Sequence, residues 1–516
     1  MAREAPSRKT SNRSRTTRAV AGFDPIPSRR PEDAVTVEVV GAVPDGATVI
    51  GVPTFSDGAV PDRVPLDRAT LEASGFAAAR GQTLVLPRAD GPTVIEAGVG
   101  PRATIDMAAI RDAAAAFAMA AVRHENLVVD LSGLDLADPA TAGQAVVEGV
   151  LLARYRYRVF RDIPNEAHLR GLTIVVDRAR AKVRSGAARG EVMARAVNLA
   201  RDLGNTPATH LTAARFGDVA KAIGPDCGLD VKVFDQADLV KMGCGGLLGV
   251  NAGSHEEARL IKVTYTPSGR SRGHLALVGK GIMYDAGGIS LKPSDAMHAL
   301  MKLDMSGAGD IFGAMTALRD LGCKTTVTGY LMCTDNMPSG TATRLGDVLT
   351  IRGGKTVEVV NADAEGRLVM ADGLVLAVED GADAIVTVAT LTGAAMRTFG
   401  AALAPVLGNS PDLVAQLRAA GDATDEPLWE LPLVKAYRPQ LDSKIADIKN
   451  MGGENAGTIT AGLFLEDFVE GTPYGHLDIC GPMVTSHDDG WRPTGATAFS
   501  TRLLATFATG FRKPAR

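Results

Sequence analysis

Short segments rich in β-branched residues alternate with segments rich in alanine and leucine, and this alternation restricts the folds open to the chain. From about residue 36 onward, runs such as Thr36–Val40 and Leu127–Leu131 are typical of strands. Between them, Ile105–His124 and Gly143–Tyr157 are typical of helices. Strands that alternate with helices of this length favour βαβ units and a mainly parallel sheet. The sequence therefore predicts an α/β fold.

The length of the chain predicts two α/β domains, because 516 residues exceed the size at which a single hydrophobic core keeps growing. We expect a smaller N-terminal α/β domain at residues 36–190 and a linker helix and turn at 191–210. A larger C-terminal domain at 211–516 should have a mixed central sheet flanked by helices. Residues 1–35 are basic and polar, and they are expected to form a disordered tail.

Composition excludes several classes of protein. A formal net charge of -4 argues against bulk electrostatic binding to nucleic acid or to a membrane surface. The five cysteines are scattered and form no CxxC pair, which argues against a thiolate zinc site and favours a reducing compartment. No apolar run approaches the roughly 20 residues that a membrane-spanning helix needs. We therefore expect a cytoplasmic protein that does not bind membranes.

Two polar clusters follow strand-like runs in the C-terminal half. One follows His274–Val278 and includes Lys280 and Asp285, and the other follows Val357–Val360 and begins at Asn361. In open α/β sheets, ligands bind at the carboxyl ends of the strands. We therefore expect both clusters, together with a third polar segment around residue 304, to form one site.

The clusters contribute four carboxylates, whose negative charges balance two divalent cations. Asp363 and Glu365 are two residues apart, so on an extended segment they point the same way and would repel each other without a cation between them. Paired metals about 3.5–4 Å apart can hold an attacking hydroxide and a carbonyl oxygen together. Oxygen ligands without His or Cys tolerate Mn²⁺, Zn²⁺, Mg²⁺ and Co²⁺. The four carboxylates are Asp285, Asp304, Asp363 and Glu365.

At these same residues the chain resembles a known family. Asn361–Leu368 (NADAEGRL) resembles the NTDAEGRL signature of the leucyl aminopeptidase family of metallopeptidases, also called the cytosol aminopeptidase family, with Ala362 in place of Thr. The segment from 278 to 293 (VGKGIMYDAGGISLKP) resembles the family's VGKGxxFDxGGxxxKP. Further segments that resemble the family are Asp335–Ser339 and Thr390–Ala394. The resemblance extends from about residue 198 to near the C terminus.

The resemblance implies a two-metal centre. Asp285 and Glu365 would each contact both metals, and Asp363 would complete the coordination of one of them. Lys280 and Asp304 would complete the other. Lys280 would then be a neutral amine, which burial and adjacent metal charge favour.

The resemblance also implies two catalytic residues and a substrate pocket. Lys292 would stay charged, polarise the scissile carbonyl and stabilise the oxyanion. Arg367 would hold a bicarbonate ion that acts as general base toward a water between the metals, since a guanidinium fork suits a planar carbonate. Between residues 292 and 304 the chain is one residue longer than the family pattern. The candidate substrate-binding residues are Met301, Asn361, Thr390, Leu391 and Gly393.

The resemblance implies that the chain is a leucyl aminopeptidase. Such an enzyme is a metallo-exopeptidase, and it would remove leucine or other apolar residues from the N termini of peptides. Because the free α-amine of the substrate would bind one metal, only the first residue would be released. Each subunit would hold two divalent ions, Mn²⁺ or Zn²⁺ in the first place, with Mg²⁺ or Co²⁺ as alternatives. The resemblance also implies a homohexamer.

Two other functions remain open. A narrow dipeptidase, for example a cysteinylglycine hydrolase, would use the same residues. A nucleic-acid-binding scaffold would use the basic side chains of the N-terminal tail, but the tail is short and the remainder of the chain is acidic, so nucleic-acid binding is not expected. These basic residues are Arg3, Arg8, Lys9, Arg13, Arg15 and Arg18.

Overall fold

The computed structural model describes residues 22–515, and two large sheets dominate it. Residues 1–21, which make up most of the predicted tail, lie outside the described residues, as do all the basic side chains of the nucleic-acid hypothesis. The structure shows the expected α/β fold, with a smaller N-terminal sheet and a larger mixed sheet in the C-terminal part.

The N-terminal sheet has six strands in the order β1-β6-β5-β2-β4-β3, and only β3 runs antiparallel to its neighbour. Its helices pack against it around a core of valine, isoleucine and alanine side chains. The strands are β1 Thr36–Val40, β2 Val49–Phe55, β3 Thr83–Leu86, β4 Thr93–Gly100, β5 Asn126–Asp130 and β6 Gly171–Val175. The helices are α1 Arg68–Ala73, α2 Met107–Ala120, α3 Pro139–Ala153 and α4 Arg180–Asn205.

The larger sheet has eight strands in the order β15-β14-β17-β13-β9-β10-β8-β7. Its centre, β17-β13-β9-β10, is parallel, whereas β7, β8 and β14 form antiparallel pairs, so the sheet is mixed. The strands are β7 Leu229–Phe234, β8 Arg259–Tyr265, β9 His274–Asp285, β10 Thr326–Asn336, β13 Ala384–Ala389, β14 Ala404–Gly408, β15 Leu428–Glu430 and β17 Tyr474–Asp478.

Two small sheets and ten helices surround the larger sheet in the described part of the chain. The small sheets contain β11 Val348–Thr350, β12 Thr356–Glu358 and β16 Ile448–Lys449, and β18 Val484–Thr485 and β19 Gly495–Ala496. The helices are α5 Ala213–Ile223, α6 Gln236–Met242, α7 Gly245–Asn251, α8 Ala296–Ala299, α9 Ser306–Ala317, α10 Gly366–Glu379, α11 Gly393–Phe399, α12 Pro411–Thr424, α13 Gly457–Glu466 and α14 Thr501–Gly510. None of the described helices is long and apolar enough to cross a bilayer.

Strand β9 is longer than the sequence indicates, and this changes the position of Lys280. Parallel pairing with β10 continues as far as Asp285 opposite Asn336. Lys280 therefore lies within the strand, and Asp285 ends it. The glycines on either side of Lys280 do not end the strand. Glycine is needed at both positions because neighbouring backbone lies too close for a side chain to fit.

Strand β12 does not belong to the larger sheet, which corrects the expectation that both polar clusters follow strands of one sheet. It pairs with β11 and β16 in a separate three-stranded sheet. The apolar run Val357–Val360 indicated a strand correctly but could not indicate its partner, because pairing depends on residues almost 100 positions away along the chain.

Residues 22–35 pack against the fold, unlike the disordered tail that the sequence predicts for residues 1–35. The backbone N–H of Ser28 donates to Asp202 Oδ2 at 2.8 Å. The rings of Phe23 and His210 stack with centroids 4.2 Å apart. A few apolar residues within this polar segment are enough to attach it to α4 and the turn that follows.

We predict that replacement by alanine destabilises the protein much more at one glycine of α9, Gly307, than at another, Gly309. A Cβ at Gly307 would lie 2.1 Å from the backbone oxygen of Val388, so Gly307→Ala forces the helix away from the sheet. A Cβ at Gly309 would meet only the flexible end of Met305 at 3.2 Å. Gly307→Ala should destabilise the protein by about 3 kcal/mol or more, and Gly309→Ala by less than about 1 kcal/mol. Urea unfolding of both variants checks this, and equal stabilities would contradict the packing described.

Candidate metal centre

Lys280 extends from β9 into a group of acidic side chains. Its side chain is 4% exposed, and its Nζ lies 2.8 Å from Asp304 Oδ2 and 2.7 Å from Glu365 Oε1. The same Nζ donates to the backbone oxygen of Thr390 at 2.9 Å. The structure therefore joins three elements at Lys280: the strand that carries it, the segment before α9 and the start of α10.

Lys292 provides a second cation on the more open side of the group. Its Nζ lies 2.9 Å from Asp285 Oδ2 and 2.5 Å from Asp363 Oδ1, and its side chain is 20% exposed. It follows the turn at Gly287 and Gly288, both of which have positive φ. A side chain at either position would be strained and would also meet neighbouring atoms within 3.0 Å.

The four predicted carboxylates come together at these two lysines. Ligand oxygens of Asp285, Asp363 and Glu365 all lie within 4.8 Å of one another, and these residues form a potential metal-binding group among those described. Asp304 joins them through Lys280, and its Oδ1 accepts a 2.6 Å hydrogen bond from Thr390 Oγ1.

Asp363 and Glu365 lie side by side because of a turn, and the expected extended segment is absent at this point. The backbone N–H of Asp363 donates to Asn361 Oδ1 at 2.8 Å. Glu365 has helical backbone angles, φ -78° and ψ -36°, and stands immediately before α10. The prediction that an extended segment makes Asp363 and Glu365 point the same way is therefore wrong, although the two side chains do converge.

Burial dominates the electrostatics of the group. It raises the pKa of Asp304 to about 7 and that of Glu365 to about 8, and the negative charge of Asp285 adds to both shifts. Burial alone would lower the pKa of Lys280, but the surrounding carboxylates outweigh it and raise that pKa well above its usual value. A metal ligated by Lys280 must therefore displace a proton, so metal binding releases protons.

The surroundings of the carboxylate oxygens are suited to binding cations. Asp304 Oδ2, Asp363 Oδ1 and Glu365 Oε1 are buried, and each is paired with a lysine ammonium group. Glu365 Oε2 is buried without a hydrogen-bond partner among the residues that the structure describes. A buried oxygen without a donor is costly, and a divalent cation would satisfy it.

Comparison with known proteins agrees with this chemistry. The family model described as "Cytosol aminopeptidase family, catalytic domain" matches residues 198–505, and the model of that family's N-terminal domain matches residues 68–164. The chain belongs to the cytosol aminopeptidase family. The resemblance predicted from the sequence is thus confirmed, and the protein is a metallo-aminopeptidase.

Relatives and solved structures cover most of the chain. A probable cytosol aminopeptidase of Streptomyces avermitilis is 41% identical, over 85% of this chain and 88% of its own length. One of Mycobacterium leprae is 37% identical, over 89% of each chain. The bottromycin maturation enzyme BotP in complex with Mn is 36% identical, with a TM-score of 0.82, over 90% of this chain and 99% of its own. A mutant of tomato leucine aminopeptidase is 27% identical, with a TM-score of 0.84, over 93% of this chain and 97% of its own.

Arg367 lies in the first turn of α10, beside the metal centre of this aminopeptidase. Its Nη1 donates to the backbone oxygen of Asn450 at 2.9 Å, while its Nε is buried without a partner among residues 22–515. Burial lowers the pKa of Arg367 to about 10, against the opposing effects of Glu365 and Asp478. The guanidinium therefore remains charged at neutral pH and keeps a donor for another ligand.

The predicted substrate-binding residues have different surroundings. Thr390 contacts Asp304 and Lys280, so it supports the metal centre directly. The backbone N–H of Leu391 donates to Asp478 Oδ1 at 3.1 Å, which fixes the loop before α11. Gly393 is exposed at the start of α11. Asn361 forms the turn at Asp363, and Met301 is buried three residues before Asp304.

Asn336 is a residue of the centre that the sequence analysis did not single out. It ends β10, and its Nδ2 donates to Asp285 Oδ1 at 2.8 Å and to the backbone oxygen of Ala362 at 3.0 Å. It thereby connects the end of β9 to the turn before α10. Its place in Asp335–Ser339, a segment that resembles the family, was the available signal.

His476 lies on β17 near Arg367 and is completely buried. Burial lowers its pKa to about 3, and the charge of Arg367 contributes to this shift. Its Nδ1 lies 2.9 Å from Thr387 Oγ1. The imidazole is therefore neutral in the folded protein at any pH above about 3.

We predict that His476 makes the protein less stable as the pH falls. The unfolded chain protonates this histidine below about pH 6.5, whereas the folded chain does so only near 3. The free energy of unfolding should therefore fall between pH 6.5 and 4, by up to about 1.4 kcal/mol per pH unit from this residue. His476→Asn should flatten the dependence when chelator-treated protein is unfolded in urea.

His487→Asn is the matched control, because His487 is exposed. It should retain the pH dependence of the wild type. A His476→Asn variant with the same slope as the wild type would show that the buried imidazole is not the source.

Proposed function

We propose that this aminopeptidase removes leucine or another apolar residue from the N terminus of peptides, with two divalent cations bound at the carboxylate group. The observation that carries the proposal is the convergence of four carboxylates, three of them buried, on two lysines, with a buried oxygen, Glu365 Oε2, that has no partner among the described residues. A group that only stabilised the fold would be expected to satisfy this oxygen with a donor.

Five side chains would hold the cations, and all are strongly buried except Asp363. Bound at this position, two divalent cations supply Lewis acidity toward the scissile carbonyl and a nucleophile at neutral pH. Mn²⁺ is favoured because the similar enzyme BotP has been solved in complex with Mn, and Zn²⁺ suits the same donors. The five residues are Lys280, Asp285, Asp304, Asp363 and Glu365.

Lys292 is suited to stabilise charge on the substrate. Its pKa is raised because Asp285 and Asp363 together outweigh the effect of burial, so it remains an ammonium. It is also the more exposed of the two lysines, at 20% against 4%. A donor in this position can turn toward the carbonyl oxygen as negative charge develops there during hydrolysis.

Arg367 is suited to hold a planar anion, and we assign it a bicarbonate. The observation in favour is its buried Nε, which has no hydrogen-bond partner in the described part of the chain. Bicarbonate would supply a general base beside the cations. Arg367 itself orients that anion and stays protonated throughout, because its pKa of about 10 lies well above neutral.

Selection of an N-terminal residue follows from the charge and shape of the centre. The free α-amine of the substrate would bind one of the cations, and a peptide bond inside a longer chain has no such amine to offer. Leu391 and Met301 offer apolar surface for the first side chain. A narrow dipeptidase would use the same groups, so a panel of dipeptides and longer peptides separates the two activities.

We infer a cytoplasmic location from the relatives named cytosol aminopeptidases, and a homohexamer from the resemblance to the family. Peptides are the expected partners. Binding to nucleic acid or to membranes is not part of the proposal.

We predict that Glu365→Gln abolishes turnover of a leucine anilide assayed with added Mn²⁺. The amide lacks the negative charge with which Glu365 would hold the cations, so kcat should fall by about 10³-fold or more, and Mn²⁺ binding should weaken. Glu358→Gln is the matched control, because Glu358 contacts Ser443 away from the cluster, and this variant should keep the activity of the wild type.

Two outcomes would contradict the proposal. One is full activity of Glu365→Gln, which would overturn the ligand assignment. The other is a folded wild-type protein that cleaves no N-terminal residue with any of Mn²⁺, Zn²⁺, Co²⁺ or Mg²⁺.

A further inference from the structure

Asn450 stands outside the metal centre but contacts the chain that builds it. It directly follows β16 and is completely buried. Its backbone N–H donates to the oxygen of Glu358 at 2.9 Å, which extends the pairing of β16 with β12 by one residue. Its backbone oxygen accepts the 2.9 Å hydrogen bond from Arg367 Nη1.

The side chain of Asn450 makes four hydrogen bonds to the backbone that follows β12. Its Oδ1 accepts from the N–H of Val360 at 2.9 Å and from that of Asn361 at 3.4 Å. Its Nδ2 donates to the oxygen of Asn361 at 2.7 Å and to that of Ala364 at 3.2 Å. The side-chain amide offers two donors and an acceptor with two lone pairs, so its whole capacity is used on this turn.

These bonds fix the part of the chain on which the carboxylates depend. Asp363 lies between the two backbone oxygens that Asn450 holds, and Glu365 comes directly after the second. The residues that face the turn from the other side are Asn336, whose Nδ2 donates to the oxygen of Ala362, and Ser290, which accepts from the N–H of Ala362. The turn is therefore clamped on both sides.

We propose that Asn450 is a positioning residue for catalysis, which sets Asp363, Glu365 and Arg367 in register with Lys280 on β9. This inference rests on the proposed function of the centre. One residue reaches both the turn that supplies two cation ligands and the guanidinium that would hold the base. Because groups in an active site must be placed within about 1 Å, loosening this turn should cost catalysis more than it costs folding.

The first test removes the side chain with Asn450→Ala and measures Mn²⁺ affinity by calorimetry, together with kcat, KM and the thermal midpoint. Mn²⁺ affinity should fall by about 10- to 100-fold, as is typical when groups that orient metal ligands are lost. Because Asn450 also holds the backbone of Asn361, a candidate substrate-binding residue, KM should rise. We expect the fall in kcat to be the larger effect, since the turn carries two cation ligands.

Asn251→Ala is the matched control for the loss of a buried asparagine. Asn251 is also buried, and its Nδ2 donates to the oxygen of Glu256 at 2.8 Å and to Thr334 Oγ1 at 2.9 Å. It contacts none of the cation ligands. Its replacement should lower the thermal midpoint, while Mn²⁺ affinity stays within about twofold of the wild type.

A second variant, Asn450→Asp, keeps the size and the acceptor but loses both donors to the turn. It should fold even if the alanine variant does not, and its Mn²⁺ affinity should be about tenfold lower than that of the wild type. Either Asn450 variant overturns the inference if it folds with wild-type Mn²⁺ affinity and kcat. If the wild type binds none of Mn²⁺, Zn²⁺, Co²⁺ and Mg²⁺, the proposed function fails. If it binds one of them and the variants bind that ion equally well, only the role of Asn450 fails.

Discussion

The mutual repulsion of four closely placed carboxylates, three of them buried, is the constraint on which the rest of this structure depends. Asp285, Asp304, Asp363 and Glu365 are held close together and largely out of water, where like charges repel strongly. Two lysines compensate the charge in part, and both are bound to carboxylates on two sides. Two divalent cations would complete the compensation.

The fold overcomes this repulsion by supplying the four carboxylates from three separate parts of the chain. Asp285 ends the central strand β9, Asp304 precedes α9, and the turn before α10 carries the other two. Close packing of α9 on the sheet at Gly307 brings Asp304 within reach of Lys280. Neutral donors then hold the carboxylates and their backbone in place: Asn336 at Asp285, Thr390 at Asp304 and Asn450 at the turn.

Local sequence predicted the groups that meet but could not predict how they are held. Strand and helix periodicity indicated an α/β fold with a mixed sheet, and NADAEGRL indicated two of the four carboxylates together with Arg367. The separate sheet of β12 and the role of Asn450 depend on pairing between segments about 90 residues apart, which no local pattern records. Residues 22–35 differ from prediction for a related reason, since their few apolar contacts matter only once α4 is in place.

The position and number of bound cations test this account most directly. Anomalous diffraction from crystals of the wild-type protein grown with Mn²⁺ locates the ions without reference to activity. We expect two Mn²⁺ ions per chain, both in contact with Glu365 and Asp285, with the amine of Lys280 bound to one of them. A single ion elsewhere, or saturating Mn²⁺ with Lys280 still paired to Asp304 and Glu365, would contradict it.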